Sequence, residues 1–339
     1  MQEWDEIKDL TMERPHVVLL GAGASKAAFP CGDANGRLIP LMNELPLIPE
    51  LSAALKEAGI NNDAGDFELL YSELATSENS RDVNLLHSME RILFEYFSSL
   101  RLPDNPTMYD HLVLSLRKKD CIATFNWDPF LFRSLQRCYR FAPTPRVLFL
   151  HGSVALGICD KHKPLMLGSI GGFCRKCKRE LRPQKLLYPI TKKNYSNDPV
   201  IRLQWEALRD YLNDAFVLTI FGKAVPTSDQ DAIELLKSAW GKPLSRPYEQ
   251  TEFIDVKSEE ELERIWAPFI HTHHRDIYQG DDRFYQSWLC RHPRRTCEAV
   301  WAQTQENQSL DRAPFPRSVN WVDLHKFLFP RVFEEQKAL

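Results

Sequence analysis

His16-Val17-Val18-Leu19-Leu20-Gly21-Ala22-Gly23-Ala24-Ser25 is the stretch of this 339-residue chain that decides its fold. Its first half is a short apolar run, which is typical of a buried central strand in a parallel sheet. The glycines that follow predict a tight turn into a helix, where backbone N–H groups and the helix dipole suit a pyrophosphate. Position 26 is a lysine, so the G-x-G-x-x-G dinucleotide motif is incomplete, and a strand-to-helix turn without a ligand stays open.

The composition predicts a globular, cytoplasmic protein. Hydrophobic residues make up 43% of the chain and charged residues 26%, which is enough to build a large core. The formal net charge of -3 argues against general nucleic-acid binding, although it leaves room for local basic patches. The N-terminal residues lack a secretory pattern, and no run of about 18 apolar residues predicts a membrane span.

Further apolar runs predict the rest of the sheet and the helices beside it. The strands predicted after the first are 121–124, 147–150, 216–221 and 253–256, the last of which ends the sheet. The helices predicted between or after them are 129–139, 200–213 and 228–239. Because strands and helices alternate, the sequence predicts an α/β fold, a Rossmann-like parallel sheet flanked by helices.

One long helical stretch interrupts this alternation between the first and second strands. Apolar residues recur at helical spacing from Asp63 to Leu116, which predicts about three helices in an insertion at about 60–118. The predicted organisation is a first part of the Rossmann-like domain over 1–150, a cysteine-rich module over 151–190, the remainder of the Rossmann-like domain over 191–260, and a C-terminal helical extension over 261–339.

Three polar residues follow predicted strands at the point where each strand ends. Asn126 and Asp128 come after the strand at 121–124, and His151 comes after the strand at 147–150. Ligands of open α/β sheets sit beyond the carboxyl ends of the strands, so these side chains are expected to meet the glycine turn. A histidine can accept a proton near neutral pH. The alternatives are a buried structural histidine and, for Asn126 and Asp128, a turn and a helix cap.

A metal module is predicted from four residues with the spacing C-x2-H-x11-C-x2-C, namely Cys159, His162, Cys174 and Cys177. Two closely spaced ligand pairs around a Gly-Gly turn can close a tetrahedral zinc site, and neighbouring cations favour thiolates. All four positions are filled by protein, so the zinc is expected to be structural. The alternative is a loop with incidental cysteines.

The order of these motifs resembles the sirtuins over about residues 16–240. The motifs that carry the resemblance are Gly21-Ala22-Gly23-Ala24-Ser25, Thr124-Phe125-Asn126-Trp127-Asp128, Leu150-His151-Gly152-Ser153 and the cysteine module. The resemblance implies that Asn126 and Asp128 surround the nicotinamide and its ribose, and that His151 is the catalytic base on the ribose. A later stretch, Phe221-Gly222-Lys223-Ala224, is similar to the family's glycine-containing loop near the adenosine ribose. The NAD⁺-binding residues implied in this way are Gly21, Ala22, Gly23, Ala24, Ser25, Gly152, Gly222 and Lys223.

Two departures from the deacylating sirtuins affect the expected activity. Those enzymes have a Gly-Ile-Pro-Asp-Phe-Arg loop soon after the phosphate loop, whereas this chain has Ala27-Ala28-Phe29-Pro30-Cys31-Gly32-Asp33. They also have a Phe-Gly-Glu segment that clamps the acyl peptide, whereas this chain has Leu186-Leu187-Tyr188-Pro189. The helical insertion and the region from Phe221 to Leu236 look more like the sirtuin-like effectors of bacterial anti-phage systems, which hydrolyse NAD⁺.

The leading hypothesis is therefore an NAD⁺ glycohydrolase that depletes NAD⁺ in an infected cell. A separate activator is implied, either a partner protein of the same system or a signalling nucleotide, and assembly into homo-oligomers is a related expectation. Protein deacylation and a non-catalytic role as an NAD⁺ or nucleotide sensor are the alternatives.

Two further groups of residues are interpreted as structural or solvated. His271, His273, His274 and Asp276 are expected to lie in a polar loop. The basic and aromatic patch of Arg291, Arg294, Arg295, Trp288 and Trp301 is expected to be a helix face with stacked side-chain stems, and a surface that meets a partner or nucleic acid is the alternative.

Overall fold

The computed structural model describes residues 3–60, 66–162, 167–188, 198–222, 230–241, 246–270, 274–308, 314–317 and 319–338. Its strands are β1 (His16–Leu20), β2 (Cys121–Thr124), β3 (Arg146–Phe149), β4 (Leu156–Ile158), β5 (Leu167–Ser169), β6 (Arg182–Pro183), β7 (Val217–Phe221), β8 (Gln250–Ile254) and β9 (Arg275–Tyr278).

Helices flank these strands along the chain. They are α1 (Glu3–Lys8), α2 (Ala22–Ala28), α3 (Pro49–Glu57), α4 (Phe67–Thr76), α5 (Ser80–Ser99), α6 (Met108–Leu114), α7 (Phe130–Cys138), α8 (Pro199–Asp214), α9 (Gln230–Trp240), α10 (Glu259–Trp266), α11 (Arg283–Gln286), α12 (Trp288–Arg291), α13 (Thr296–Thr304) and α14 (Trp321–Lys337). Two 3-10 helices, Met42–Leu47 and Ala267–Phe269, precede α3 and follow α10.

The main sheet has six parallel strands in the order β3-β2-β1-β7-β8-β9. Counted along the chain, this is the strand order 3-2-1-4-5-6 of a dinucleotide-binding fold. The order reverses between β1 and β7, so the connections of these two neighbours leave in opposite directions and open a crevice at their carboxyl ends. The predicted α/β class, with a Rossmann-like parallel sheet flanked by helices, is confirmed.

The central strand β1 is apolar along its length because helices cover both faces of the sheet. Val18 and Leu20 belong to one hydrophobic cluster, whereas Val17 and Leu19 belong to another. Successive side chains of a strand point to opposite faces, so β1 contributes to two cores at once. A strand of this kind reads as a continuous apolar run, which is why the sequence identifies it.

The helical segment between β1 and β2 is longer than the periodicity indicates. The structure has the expected helices α4, α5 and α6, and it adds the 3-10 helix Met42–Leu47 and α3, for which no prediction was made. The segment packs through a buried apolar face onto the core that contains Val18 and Leu20. It thereby stands beside the crevice at the carboxyl end of β1.

The prediction that 253–256 ends the sheet is wrong, because β9 adds a further parallel strand beside β8. Asp276 lies in β9 and not in a polar loop. Its carboxylate accepts hydrogen bonds from Trp288 Nε1 at 2.6 Å and Gln250 Nε2 at 3.0 Å. With Arg275 and Asp276 as its first two residues, β9 lacks the apolar run by which the other strands of the sheet were predicted. Residues 271–273 lie outside the described residues.

The prediction of a surface helix face around Arg294 and Arg295 is also wrong. Both guanidinium groups are buried, and both donate to the carboxylate of Glu335 in α14. Arg295 donates as well to the backbone carbonyl of Ile7 in α1. Buried arginines need such partners, and Arg295 joins α1 to α14 through them. Across the described ranges, no helix has both the length and the apolar character needed to cross a bilayer.

Candidate functional site

The turn from β1 into α2 is built by two interlocked glycines. A Cβ atom added at Gly23 would lie 2.8 Å from the carbonyl oxygen of Gly222, and one added at Gly222 would lie 2.2 Å from the Ala24 nitrogen. Gly222 also has a φ of +58°, in the left-handed region that favours glycine. These glycines therefore serve the close packing of the turns after β1 and β7, where a larger side chain would separate the two strands.

A cavity of about 530 Å³ opens at this turn, at the carboxyl ends of the parallel strands. The predicted site residues that line it are Gly21, Ala22, Gly23, Ser25, Asn126, Asp128, His151 and Gly222. Its volume is within the range of small-molecule and cofactor sites. The structure thus brings together at one cavity residues that are separated by about 200 positions in sequence.

Asn126 and Asp128 are tied to the glycine turn through Ser25. The Ser25 hydroxyl donates to Asp128 Oδ2 at 2.6 Å, and Asn126 Nδ2 donates to Ser25 Oγ at 3.0 Å and to the Gly21 carbonyl at 2.9 Å. The Tyr109 hydroxyl lies 2.7 Å from Ser25 Oγ and accepts from Asn126 Nδ2 at 3.3 Å. Because an ionised Asp128 can only accept, this network fixes the direction of the Ser25 bond.

Asp128 serves two roles in this arrangement. Its Oδ1 atom accepts a hydrogen bond from the backbone N–H of Phe130 at 3.1 Å. This bond forms the turn that precedes α7, which is the structural role given above as the alternative for Asp128. Its Oδ2 atom belongs to the cavity network. Burial raises the pKa of Asp128 from its ordinary value of 3.8 to about 6, while the hydrogen bond from Ser25 opposes that rise. The carboxyl group therefore titrates close to neutral pH.

His151 is held at the cavity by the chain around it. Its ring packs edge-to-face on Phe125, with the ring centroids 5.0 Å apart, and its backbone carbonyl accepts from the Leu187 N–H at 2.9 Å. Gly152 follows at a φ of +79°, and a Cβ there would lie 2.9 Å from the Lys185 carbonyl. The segment that leaves the cysteine module therefore crosses directly behind His151.

The remaining predicted nucleotide-binding residues have different positions. Ala24 is buried in the core that contains Val18, and Gly152 supports the crossing of the chain behind His151. Neither of them is among the described residues that line the cavity. Lys223 lies outside the described residues.

Several cavity residues were not predicted. The segment 39–45 after α2 forms part of the wall, together with Phe97 of α5 and Asp255, which follows β8. The rule that ligands gather beyond parallel strand ends could have identified Asp255. No sequence signal marks residues 39–45 or Tyr109, because they reach the site through the packing of the helical segment.

The four predicted metal ligands converge beside a second, smaller sheet, in which β4 pairs with both β5 and β6. Cys159 Sγ lies 3.5 Å from Cys177 Sγ and 3.6 Å from His162 Nδ1, and Cys174 Sγ lies 3.4 Å from His162 Nδ1. Tetrahedral zinc with Zn–S bonds of about 2.3 Å and Zn–N bonds of about 2.0 Å places sulfur atoms about 3.8 Å apart, and sulfur and nitrogen about 3.6 Å apart. The residues fit a structural zinc ion.

The known proteins that match this chain are solved structures of low sequence identity. No protein-family model matches it, and no curated protein matches it. Similar solved structures include one of Sir2 enzymes, at 14% identity and a TM-score of 0.38, over 87% of this chain and 97% of that chain. A Sir2 homologue in complex with NAD is similar at 16% identity and a TM-score of 0.39, over 88% and 93%. Sir2 bound to an acetylated peptide is similar at 12% and 0.38, over 87% and 93%.

Proposed function

We propose that this protein is a sirtuin-like NAD⁺ glycohydrolase, which converts NAD⁺ and water into nicotinamide, ADP-ribose and a proton. One observation carries the proposal. The turn at Gly21–Gly23 and the side chains of Asn126, Asp128 and His151 line a single cavity at the point where the strand order reverses. These are the residues through which the sequence resembles the sirtuins.

In this proposal the NAD⁺ pyrophosphate lies against the Gly21–Ser25 turn. Gly23 and Gly222 keep the turns after β1 and β7 in contact, so no side chain from either position stands between the backbone and the ligand. Asp255 at the end of β8 would face the adenosine half of the dinucleotide. Asn126 and His151 would then face the nicotinamide ribose.

The reaction breaks the bond between the nicotinamide nitrogen and the ribose C1 atom. The bonding electron pair leaves with nicotinamide, whose positively charged ring becomes neutral, and positive charge develops on the ribose. Water adds to C1 and loses a proton. The cavity residues would act mainly by placing charge and excluding bulk water, which are effects worth several kcal/mol in enzymes.

Each polar residue has a separate task in this proposal. The Asp128 carboxylate is buried, and it would stabilise the positive ribose strongly because little water screens it. The described side-chain hydrogen bonds of Asn126 use Nδ2, so its amide oxygen would position the nicotinamide ribose or the water. His151 would accept the proton of a ribose hydroxyl or of the attacking water.

Two features support water, and not an acyl-lysine, as the acceptor. Asp33 lies in the altered loop, and its carboxylate accepts hydrogen bonds from the backbone N–H groups of Asn35, Arg37 and Arg101. These bonds close a local turn and fasten it to the residues after α5, so this carboxylate has a structural role. Tyr188, after the zinc module, stacks on Tyr71 of α4 with ring centroids 5.5 Å apart. The helical segment thus packs on the stretch that clamps the peptide in deacylating sirtuins.

The biological role within this proposal is that of an effector in a bacterial anti-phage system, acting in the cytoplasm. Hydrolysis of NAD⁺ would disable an infected cell before phage is produced. Such an activity must be restrained until infection, so the proposal includes a partner protein of the same system, a signalling nucleotide or self-assembly as the trigger. It also includes Lys223 and Gly152 among the residues that support NAD⁺ binding.

The test measures nicotinamide release from NAD⁺ by chromatography, with and without an acetyl-lysine peptide and with and without candidate activators. Wild-type protein is expected to release nicotinamide without peptide. His151→Ala and Asn126→Ala are each expected to lower the rate at least about 100-fold. Matched controls are His87→Ala and Asn105→Ala, because both residues are exposed and lie outside the cavity.

Three outcomes would argue against the proposal. Strict dependence on the peptide would identify a deacylase. Unchanged release by both cavity variants would move the chemistry elsewhere. A sensor would be identified if wild-type protein bound NAD⁺ but released no nicotinamide under any activation, and if His151→Ala and Asn126→Ala lost that binding.

A further inference from the structure

The zinc module, defined here as residues 159–185, is a positively charged island on an acidic protein. Its sequence contains eight basic residues and two acidic ones, whereas acidic residues outnumber basic ones by nine in the rest of the chain. A zinc ion with three thiolates contributes only one further negative charge. The exposed basic side chains are Lys161, Arg175, Lys176, Lys178, Arg179, Arg182 and Lys185.

An exposed aromatic ring lies among these basic residues in the sequence. Phe173 is 68% exposed, and Ile170, three residues earlier in the chain, is 40% exposed. The next residue, Cys174, is fully buried because its thiolate points to the metal site. Successive side chains of an extended chain point to opposite sides, so the inward position of Cys174 holds Phe173 outward.

The backbone around the ring is closed by hydrogen bonds. Phe173 pairs with Glu180 in an isolated antiparallel bridge, and Cys174 donates its N–H to the Arg179 carbonyl at 2.8 Å. Lys178 donates to the Cys174 carbonyl at 2.8 Å and has a φ of +60°, so the basic residues after Phe173 lie on a tight turn. The ring and the neighbouring cations are therefore presented together by a structured knuckle.

We propose that this surface of the zinc module binds single-stranded nucleic acid. Phe173 would stack on an unpaired base, and Arg175, Lys176 and Lys178 would contact the adjacent phosphates. Single strands offer exposed base faces and regularly spaced negative charges at the same time, which is the combination that exposed aromatic and basic residues recognise. A duplex hides its base faces, and an acidic polypeptide offers no stacked bases. The net charge of -3 conceals the site because it averages the island with the acidic remainder.

The binding site lies outside the cavity, so it can be tested without any enzyme assay. The zinc-loaded full chain is titrated into fluorescently labelled 20-nucleotide oligo(dT) and oligo(U), and anisotropy is recorded at about 50 and about 150 mM salt. Binding to one or both is expected. If about four phosphates are contacted, affinity should fall roughly twentyfold over this range of salt.

Variants separate stacking from charge. Phe173→Ala is expected to weaken binding roughly tenfold, whereas Phe173→Tyr keeps the ring and should bind like wild type. Arg175→Gln combined with Lys176→Gln should weaken binding and make it less dependent on salt. The matched controls are Tyr139→Ala, which removes another exposed ring, and Lys326→Gln combined with Lys337→Gln, which removes the same charge from α14. Zinc content measured for every variant shows that the module is still folded.

Four results would overturn the proposal. They are no binding at about 50 mM salt, equal losses in the module and control variants, equal affinity for the duplex of the same length, and equal affinity for polyglutamate. The last result would assign the surface to an acidic protein. A fifth contrary result is full binding by zinc-loaded Phe173→Ala, which would rule out the stacking contact.

Discussion

The cavity is assembled from residues that are distant in sequence, whereas the zinc module is assembled from residues that are close in sequence. The cavity gathers residues from nine separate parts of the chain, and it is held by parallel strand ends, closely packed glycines and a buried hydrogen-bond network. The module draws its ligands from nineteen consecutive residues, and its buried apolar cluster consists of Cys159, Cys174 and Leu181 with Cys177 beside them. The difference shows that sheet topology alone can assemble the first, whereas the second has too little core to stand without its metal.

The largest expected effect is the loss of the metal. Cys174→Ser removes a fully buried ligand, and structural zinc contributes on the order of 10 kcal/mol to the folding of small zinc domains. Zinc content should fall from one per chain to near zero, and protease should cut within 159–188. The parallel sheet should keep its protection from hydrogen exchange.

The matched control for this change is Cys31→Ser, since Cys31 is an exposed cysteine outside the cluster. It should retain both zinc and protease resistance. If Cys174→Ser kept its zinc, or if the main sheet unfolded together with the module, the contrast between the two regions would be lost.

The next effect concerns the interlocked glycines. Gly222→Ala places a Cβ in a left-handed conformation and 2.2 Å from the Ala24 nitrogen. Strain and overpacking together should lower the free energy of unfolding by about 2–5 kcal/mol, measured by denaturant titration. Gly36→Ala is the control, because Gly36 has a φ of +76° but no atom within 4 Å of the added Cβ. It should cost only about 1 kcal/mol, and equal losses in the two variants would contradict the close-packing account.

The same contrast explains how much the sequence could predict. The ligands of the module were predicted from spacing, because neighbours in sequence stay neighbours in space. Asn126 and His151 were placed beside the glycine turn by a rule of parallel sheets and not by any local signal. Whether these residues carry the proposed chemistry stays a prediction.

What could not be predicted depends on long-range partners. β9 was missed because Asp276 is polar, and its half-buried position in the sheet becomes reasonable only when Trp288 and Gln250 donate to it. Arg294 and Arg295 read as surface residues until Glu335, about forty positions away, pairs with them. Tyr109 gives no signal at all, since only the packing of α6 brings it to Ser25.

A smaller effect concerns Asp128, whose burial distinguishes the cavity from the exposed module. With a pKa raised from 3.8 to about 6, this carboxyl group contributes stability that is complete below about 3.8 and lost as pH rises through about 6. The proposed reaction needs the charged form, so nicotinamide release should fall about tenfold per pH unit below 6. Activity and stability should therefore change in opposite directions.

The measurement is a pH–rate profile beside denaturant titrations at the same pH values. Asp128→Asn should be slow at every pH and should lose this acid limb. A wild-type profile that stays flat from pH 7 to 5 would show that the charge on Asp128 is not used.

The smallest effect tests the hydrogen-bond network itself. Tyr109→Phe removes the hydroxyl that lies 2.7 Å from Ser25 Oγ and leaves the ring packed 6.0 Å from Phe29. Stability should fall by about 1 kcal/mol, the usual cost of one buried hydrogen bond. Hydrogen bonds in a chain strengthen one another, so the bond from Ser25 to Asp128 should weaken.

A weaker bond favours the charged carboxylate less, so the acid limb of nicotinamide release should move to higher pH by a few tenths of a unit. Tyr139→Phe, at an exposed tyrosine, should change neither stability nor the limb. A loss of stability without a shift of the limb would show that Tyr109 supports only the packing. A shift to lower pH would contradict the assignment of Ser25 as the donor to Asp128.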